Sequence, residues 1–225
     1  IANNKVVEMA RNLVTSAIAN NVKIVLFALD PQIGENMKDL CDVVKYFDNG
    51  FSKSIDPEKF YKFGTAEFQN VIFQRFFIGN EILKCGKTYV YIDIDIVITK
   101  NFIKDVFDQY KNTNLDCVIQ YNGRDCCTGF FSMIPNKKTI AIDYDFFVKH
   151  DYHLYNRNQP FFNGIILNKK ILNIQFLSRD KYPNGQHFYG NSRNIENRCF
   201  IIHFNCITGY ENKINKMKEY KKWLL

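Results

Sequence analysis

"TYVYIDIDIVI", residues 88–98, decides how this chain is read. Its frame is a buried strand, because Tyr89, Val90, Ile92, Ile94, Ile96 and Val97 all favour a sheet. Asp93 and Asp95 break that frame. Side chains alternate along a strand, so residues two apart share a face and the two carboxylates can converge on one ligand. An unpaired buried carboxylate is strongly disfavoured, and two side by side more so. The stretch therefore demands a positive partner: a divalent metal, an Arg or Lys, or a shared proton. Oxygen ligation suits Mg²⁺ or Mn²⁺, ions that commonly bridge to substrate phosphates.

Upstream, residues 4–20 have the period of an amphipathic helix, and "KIVLFALD", 23–30, is a continuous apolar run of the kind buried in a parallel sheet. "DVVKYFD", 42–48, reads as a second strand. "AEFQNVIFQRFFIGNEILKCG", 66–86, is a helix stopped by Gly86. Downstream, "NFIKDVFDQYK" is a helix with Asn101 as its expected N-cap, and "LDCVIQY", 115–121, is a strand. Beyond residue 122, "CCTGFFSMI", "FFNGIIL" and "FIIHFNC" read as short strands, and "NKINKMKEYKKWL" as an exposed terminal helix. Alternating helix and strand in the first half predicts an α/β fold with a mainly parallel central sheet, followed by a smaller mixed sheet. The expectation is one domain over 1–225, in two halves, 1–121 and 122–225. Ligands of such sheets bind outside the carboxyl ends of the parallel strands, where Asp30, Asp93 and Asp95 fall.

Bulk properties narrow the classes. The 225 residues are 46% hydrophobic, which supports a packed core and excludes a disordered chain. No apolar run approaches the roughly 20 residues of a membrane span. Glu8 and Arg11 interrupt the first helix, so it does not read as a signal peptide. The chain starts at Ile1 without Met, so either a fragment of a longer, multidomain chain or a processed chain is expected. Seven cysteines, with Cys126 and Cys127 adjacent and no CxxC pair, make neither a disulfide framework nor a zinc site and favour a cytosolic-type compartment. Net charge is +7, much of it from Lys213, Lys216, Lys218, Lys221 and Lys222. That balance suits an anionic ligand; with no aromatic RNA-binding motif and no zinc finger, nucleic acid is not an expected partner.

Four segments carry a resemblance. They are "GKTYVYIDIDIVITKNF", 86–102, "CTGFF", 127–131, "NQPFFN", 158–163, and "IIHFNCITGYENKINKMKEYKKW", 201–223. In that order they resemble the DxD, N-T-G-F-F, D-Q-x-x-x-N and H-x-N-x-x-x-G-x-x-x-K segments of GT-A glycosyltransferases, in particular the nucleotide-diphospho-sugar transferases. The resemblance covers roughly residues 22–223, and it assigns nucleotide binding to the 1–121 half and acceptor binding with metal completion to the 122–225 half. It implies a Rossmann-like GT-A fold and transfer of a sugar from a nucleoside-diphosphate sugar, with UDP the default nucleotide, to a hydroxyl of a glycan or glycoprotein.

Residue by residue, the resemblance places a metal on Asp93, Asp95 and His203, and the imidazole favours Mn²⁺ over Mg²⁺. Asp93 would also approach the ribose. Ala28, Leu29 and Asp30 fall where the family binds base and ribose, although Asp30 also reads as a turn residue before Pro31. Arg75 stands where a basic residue faces the donor, and Gly209 and Lys213 match the segment on the diphosphate. Thr128 and Gly129 would line the sugar pocket, with Gln159 and Asn163 bonding the sugar or acceptor. Asn158 departs from the family, which has Asp there, and an amide cannot act as a base. Asp125 and Asp151 are the nearby carboxylates that could take over, so the catalytic candidates are Asp95, Asp125, Asp151 and Gln159. The stereochemical outcome stays open. Two other readings are a nucleotide-sugar-binding module without turnover, favoured by Asn158, and a nucleotidyltransferase, for which "LDPQIGEN" is a poor phosphate loop.

Overall fold

A computed structural model describes residues 1–45, 56–61, 64–155 and 157–225. The strands are β1 (Val25–Ala28), β2 (Asp42–Lys45), β3 (Tyr89–Ile92), β4 (Ile96–Ile98), β5 (Cys117–Tyr121), β6 (Cys126–Met133), β7 (Ile174–Phe176) and β8 (Ile201–His203). The helices are α1 (Val7–Ala19), α2 (Pro31–Met37), α3 (Ala66–Lys84), α4 (Ile103–Asp108), α5 (Lys137–Ile140), α6 (Tyr144–Lys149), α7 (Asn158–Phe161), α8 (Gly185–Ile195) and α9 (Tyr210–Glu219). Two compact units are assembled from interleaved segments. Unit 1 takes Ile1–Phe63, Asp93–Asn101 and Gly185–Leu225; unit 2 takes Gly64–Ile92 and Phe102–Asn184.

In unit 1, β1 and β2 run parallel, with Val25 opposite Asp42 and Ala28 opposite Lys45. β4 and β8 run antiparallel, with Ile96 opposite His203. Helix α1 buries Met9, Ala10, Leu13, Val14 and Ala17, the one-sided spacing of an amphipathic helix. Ser16 on that face accepts the Ile98 N–H at 3.0 Å and ties α1 to β4. The core joins Met9, Val14, Leu26, Ile33, Val97, Ile202, Phe204 and Met217.

Unit 2 holds a mixed sheet in the order β3-β6-β5-β7. β6 is antiparallel to both neighbours, while β5 and β7 are parallel. Thr65 caps α3 by accepting the Phe68 N–H, and Gly86 ends its region with a left-handed φ of 72°. Phe73, Phe76 and Phe77 of α3 meet Phe147, Phe161, Phe162 and Tyr152, with Phe73–Tyr152 centroids 4.9 Å apart. Phe73, Phe76, Phe77, Phe131, Phe147, Phe161 and Phe162 thus build the aromatic core of unit 2.

The mixed α/β class is the one expected, with parallel pairs, flanking helices and a smaller antiparallel sheet. Four local readings change. The 88–98 run is two strands broken by a turn at Asp93–Asp95. "FFNGIIL" is helical: α7 passes into a π-helical turn, Phe162–Leu167, and Phe161, Phe162, Ile165 and Ile166 share one buried side, which strand alternation could not give them. Asn101 does not cap α4; Phe102 holds that position, and Asn101 Nδ2 donates to the Asn21 carbonyl at 3.0 Å. "PQIGENM" is a helix capped by Asp30. Strand 42–48 is seen as far as Lys45, and its remainder lies outside the described residues. Helices α5, α6 and α8 and strand β7 were not anticipated.

Candidate active site

The turn between β3 and β4 is closed by the Ile96 N–H donating to the Asp93 carbonyl at 3.2 Å. Asp93 and Asp95 therefore converge because the chain bends, not because they share a strand face. β8 brings the third group. Ile96 faces His203 in register, and the Phe204 N–H donates to the Asp95 carbonyl at 2.9 Å. That pairing sets His203 Nε2 3.1 Å from Asp95 Oδ1 and 3.9 Å from Asp93 Oδ2. The three donor atoms all lie within 4.8 Å of one another. Two carboxylate oxygens and an imidazole nitrogen at that spacing form a donor set that fits one divalent ion.

Lys213 completes the cluster, its Nζ donating to Asp95 Oδ2. It stands one turn into α9, whose start at Gly209 (φ 96°, ψ 142°) uses a backbone conformation that side chains resist. The Lys213 N–H donates to the Gly209 carbonyl at 3.2 Å. Burial pushes the Asp95 carboxyl up, but the Lys213 charge and His203 outweigh it and hold the group well below the ordinary carboxylate range. Burial pulls Lys213 down, and the Asp95 carboxylate more than restores it, so the ammonium persists above its ordinary range.

The segment after His203 is pinned by a group the sequence reading missed. The Gly185 N–H donates to Asn205 Oδ1 at 2.7 Å, and a Cβ at Gly185 would stand 2.3 Å from the Asn205 carbonyl oxygen. Tyr189, one turn into α8, donates its hydroxyl to that carbonyl at 3.2 Å. Burial, then the Asp95 charge, raise the Tyr189 hydroxyl well above its ordinary range, so it stays a donor. Only the isolated Gly at 185 hinted at this close approach in the sequence.

At the end of β1, Ala28 and Leu29 are packed into the unit 1 core. Both Asp30 oxygens are committed: Oδ1 accepts the Ile33 N–H at 2.9 Å, and Oδ2 the Asn4 N–H at 2.7 Å. The turn reading of Asp30 is thus observed as a helix cap. "LDPQIGEN" correspondingly forms a capped helix rather than a glycine-rich phosphate loop.

The remaining candidates belong to unit 2. Arg75 is buried in α3, donates Nη1 to the Thr128 carbonyl at 2.8 Å, and lies 4.5 Å from the centre of the Tyr91 ring. Thr128 and Gly129 are buried within β6. Asn163 uses both ends of its amide on one residue: Oδ1 accepts the Cys126 N–H at 2.9 Å, and Nδ2 donates to the Cys126 carbonyl at 3.2 Å. Asn158 and Gln159 open α7, and the buried Asn158 Nδ2 has no hydrogen-bond partner among the described residues. Asp125 accepts from Asn122 Nδ2 at 3.1 Å in the β5–β6 turn. Asp151 is exposed on a left-handed turn after α6. The seven cysteines are free thiols. Among the described residues, no helix is long and apolar enough to cross a membrane.

Known proteins share this architecture. The structure matches the glycosyltransferase GlyE of Streptococcus pneumoniae with a TM-score of 0.59 and 14% identity, over 98% of this chain and 62% of that one. It matches mouse xyloside xylosyltransferase 1 with a TM-score of 0.56 and 13% identity, over 91% and 94%. A glycosyltransferase involved in glycosylation of the major capsid of PBCV-1 gives a TM-score of 0.56 at 8% identity, over 95% and 93%. These likenesses establish a fold shared with glycosyltransferases. By sequence, the UDP-galactose:fucoside alpha-3-galactosyltransferase of Dictyostelium discoideum is 22% identical over 200 residues. That stretch is 77% of this chain and 31% of the relative, so the chain spans about a third of that protein. The family profile described as nucleotide-diphospho-sugar transferase matches residues 20–217, and the chain belongs to that family of glycosyltransferases.

Proposed function

We propose that this chain transfers a sugar from a UDP-sugar to a hydroxyl of a glycan or glycoprotein, with Mn²⁺ held by Asp93, Asp95 and His203. The observation that carries the proposal is the convergence of two carboxylates and an imidazole from a turn and a distant strand, in a member of a nucleotide-diphospho-sugar transferase family. UDP is supported by the donor named for the Dictyostelium relative. Asp93 and Asp95 would supply the oxygen donors and His203 Nε2 the nitrogen. When bound, such an ion supplies positive charge for the diphosphate leaving group. Lys213 holds its proton beside Asp95 and adds a fixed charge for the same group. In unit 2, Thr128, Gly129 and Gln159 keep the sugar-facing role that the family implies. Asn158 cannot accept a proton, so we assign the acceptor hydroxyl's proton to Asp125, a partly buried carboxylate on the turn leading into β6.

Incubation with UDP-sugars and Mn²⁺ should release UDP. Chelation, or Asp95→Ala, should abolish that release. Full turnover in chelator would overturn the metal assignment. Asn158 favours one rival, a nucleotide-sugar-binding module without turnover; UDP-sugar binding with no release under any acceptor would establish it.

A further inference from the structure

The carboxyl ends of the parallel strands β5 and β7 carry a group of side chains that the transfer chemistry above does not use. Tyr121 ends β5 and Phe176 ends β7, with ring centroids 4.8 Å apart at 42°. Tyr121 donates its hydroxyl to the Gly123 carbonyl at 2.8 Å, which fixes the ring against the turn that follows. The Arg179 guanidinium lies 5.7 Å from the Tyr121 ring centre. A Cβ at Gly123 (φ 93°) would meet Arg179 Nη2 at 3.4 Å, so the guanidinium runs along a turn kept bare for it. Arg179 Nε is buried without a hydrogen-bond acceptor, and Arg179 makes no ion pair among the described residues. Arg124, on the same turn, is exposed. The Asp125 carboxylate there is engaged by Asn122.

A buried donor on a permanently charged group is costly unless something accepts from it. A guanidinium fork matches the paired oxygens of a carboxylate or phosphate. The tilted pair of partly exposed rings offers a flat apolar face of the kind that binds a sugar ring. We infer that Tyr121, Phe176, Gly123 and Arg179 form an acceptor subsite, and that the acceptor is a sugar bearing an oxyanion. The position agrees with that role: ligands of α/β sheets gather at the carboxyl ends of parallel strands, and the turn runs directly into Cys126–Gly129. The inference rests on the transferase reading for the word acceptor.

The test is a titration of the full chain with glucuronic acid, glucose 6-phosphate, glucose and inorganic phosphate, followed by NMR or calorimetry. At least one acidic sugar should bind about tenfold or more tightly than glucose and than inorganic phosphate. The better of the two tells carboxylate from phosphate. Arg179→Gln should erase the advantage, and Arg179→Lys should keep part of it. Equal binding of acidic and neutral sugars, inorganic phosphate binding as tightly as the better acidic sugar, or an unchanged preference in Arg179→Gln would each overturn the subsite. If Arg179→Gln does not fold, the wild-type comparison decides alone. UDP with Mn²⁺ is titrated separately into the wild-type chain. Failure there, with acidic-sugar binding intact, refutes the UDP and Mn²⁺ reading of the donor site and leaves an anionic-sugar site; the reverse pattern refutes the subsite alone.

Discussion

Lys213→Met should destabilise the metal-free protein and make it more responsive to Mn²⁺. The Asp95 side chain is 7% exposed and that of Lys213 23%. Removing one partner of a buried pair costs about 3–5 kcal/mol, because the other charge is left stranded. Here His203 Nε2 remains 3.1 Å from Asp95, and Lys213 is only partly shielded, so we expect a loss of about 2–3 kcal/mol. For a chain of this size that lowers the melting temperature by about 5–10 °C. A double-mutant cycle with Asp95→Asn should show coupling of about 2 kcal/mol. The pH window follows from the two shifts. Asp95 is depressed, so its share is complete above about pH 4 and fades as pH falls toward the lowered value. Lys213 is raised, so its share is complete below about pH 10 and fades as pH climbs through the raised value. A divalent cation would supply the charge that the variant lacks, so Mn²⁺ should stabilise Lys213→Met more than wild type. The assay is urea or thermal unfolding by circular dichroism, in chelator and in Mn²⁺. Metal-free stability within about 0.5 kcal/mol of wild type, or an additive cycle, would refute the reasoning.

Two further outcomes follow from the packing. Gly185→Ala places a Cβ 2.3 Å from the Asn205 carbonyl oxygen, so the segment after His203 must shift; stability should fall by about 1–3 kcal/mol, and Mn²⁺ affinity should fall with it. Unaltered metal affinity in a folded variant would disconnect this contact from the cluster. A thiol reagent at neutral pH should label Cys85 and Cys206 rapidly. Cys126, whose thiol burial and the Asp125 charge push up to about 12, should react only on unfolding, as should the buried Cys117, Cys127 and Cys199. Fast labelling of Cys117 or Cys126 would contradict the core described for unit 2, and fast labelling of Cys199 that of unit 1.

Asp93 and Asp95 were legible because carboxylates inside an apolar run defy burial unless they have a task, and His203 only through the resemblance of its segment to the family. Their geometry was not. "IDIDI" contains no Gly or Pro, and β-branched residues continue on both sides, so nothing local marks a bend. The turn is held by contacts distant in sequence or invisible to pattern: the Ile96 N–H donates to the Asp93 carbonyl, and β8 pairs with β4 just after it. "FFNGIIL" was misread for a related reason, since a short apolar run looks alike in a buried strand and a buried helix. Helix α8 escaped because Gly185, Gly190, Asn191, Ser192 and Asn194 are poor helix formers. Asp30 and Lys213 were legible in position, yet one is spent on a cap and the other on Asp95. The Tyr121–Arg179 stack joins residues far apart in the chain, which periodicity cannot reveal.

Asn163 and Arg75 both serve the backbone of β6. Among the described residues β3 pairs with β6 only over Phe130–Met133, and no other strand lies beside the Cys126–Thr128 stretch of β6 on that edge. Asn163 covers the Cys126 peptide with its own amide, and Arg75 covers the Thr128 carbonyl. Two side chains thus finish a ribbon that would otherwise offer its peptide groups to another molecule. A variant at either position would therefore leave an uncovered edge open to self-association, whatever it does to turnover.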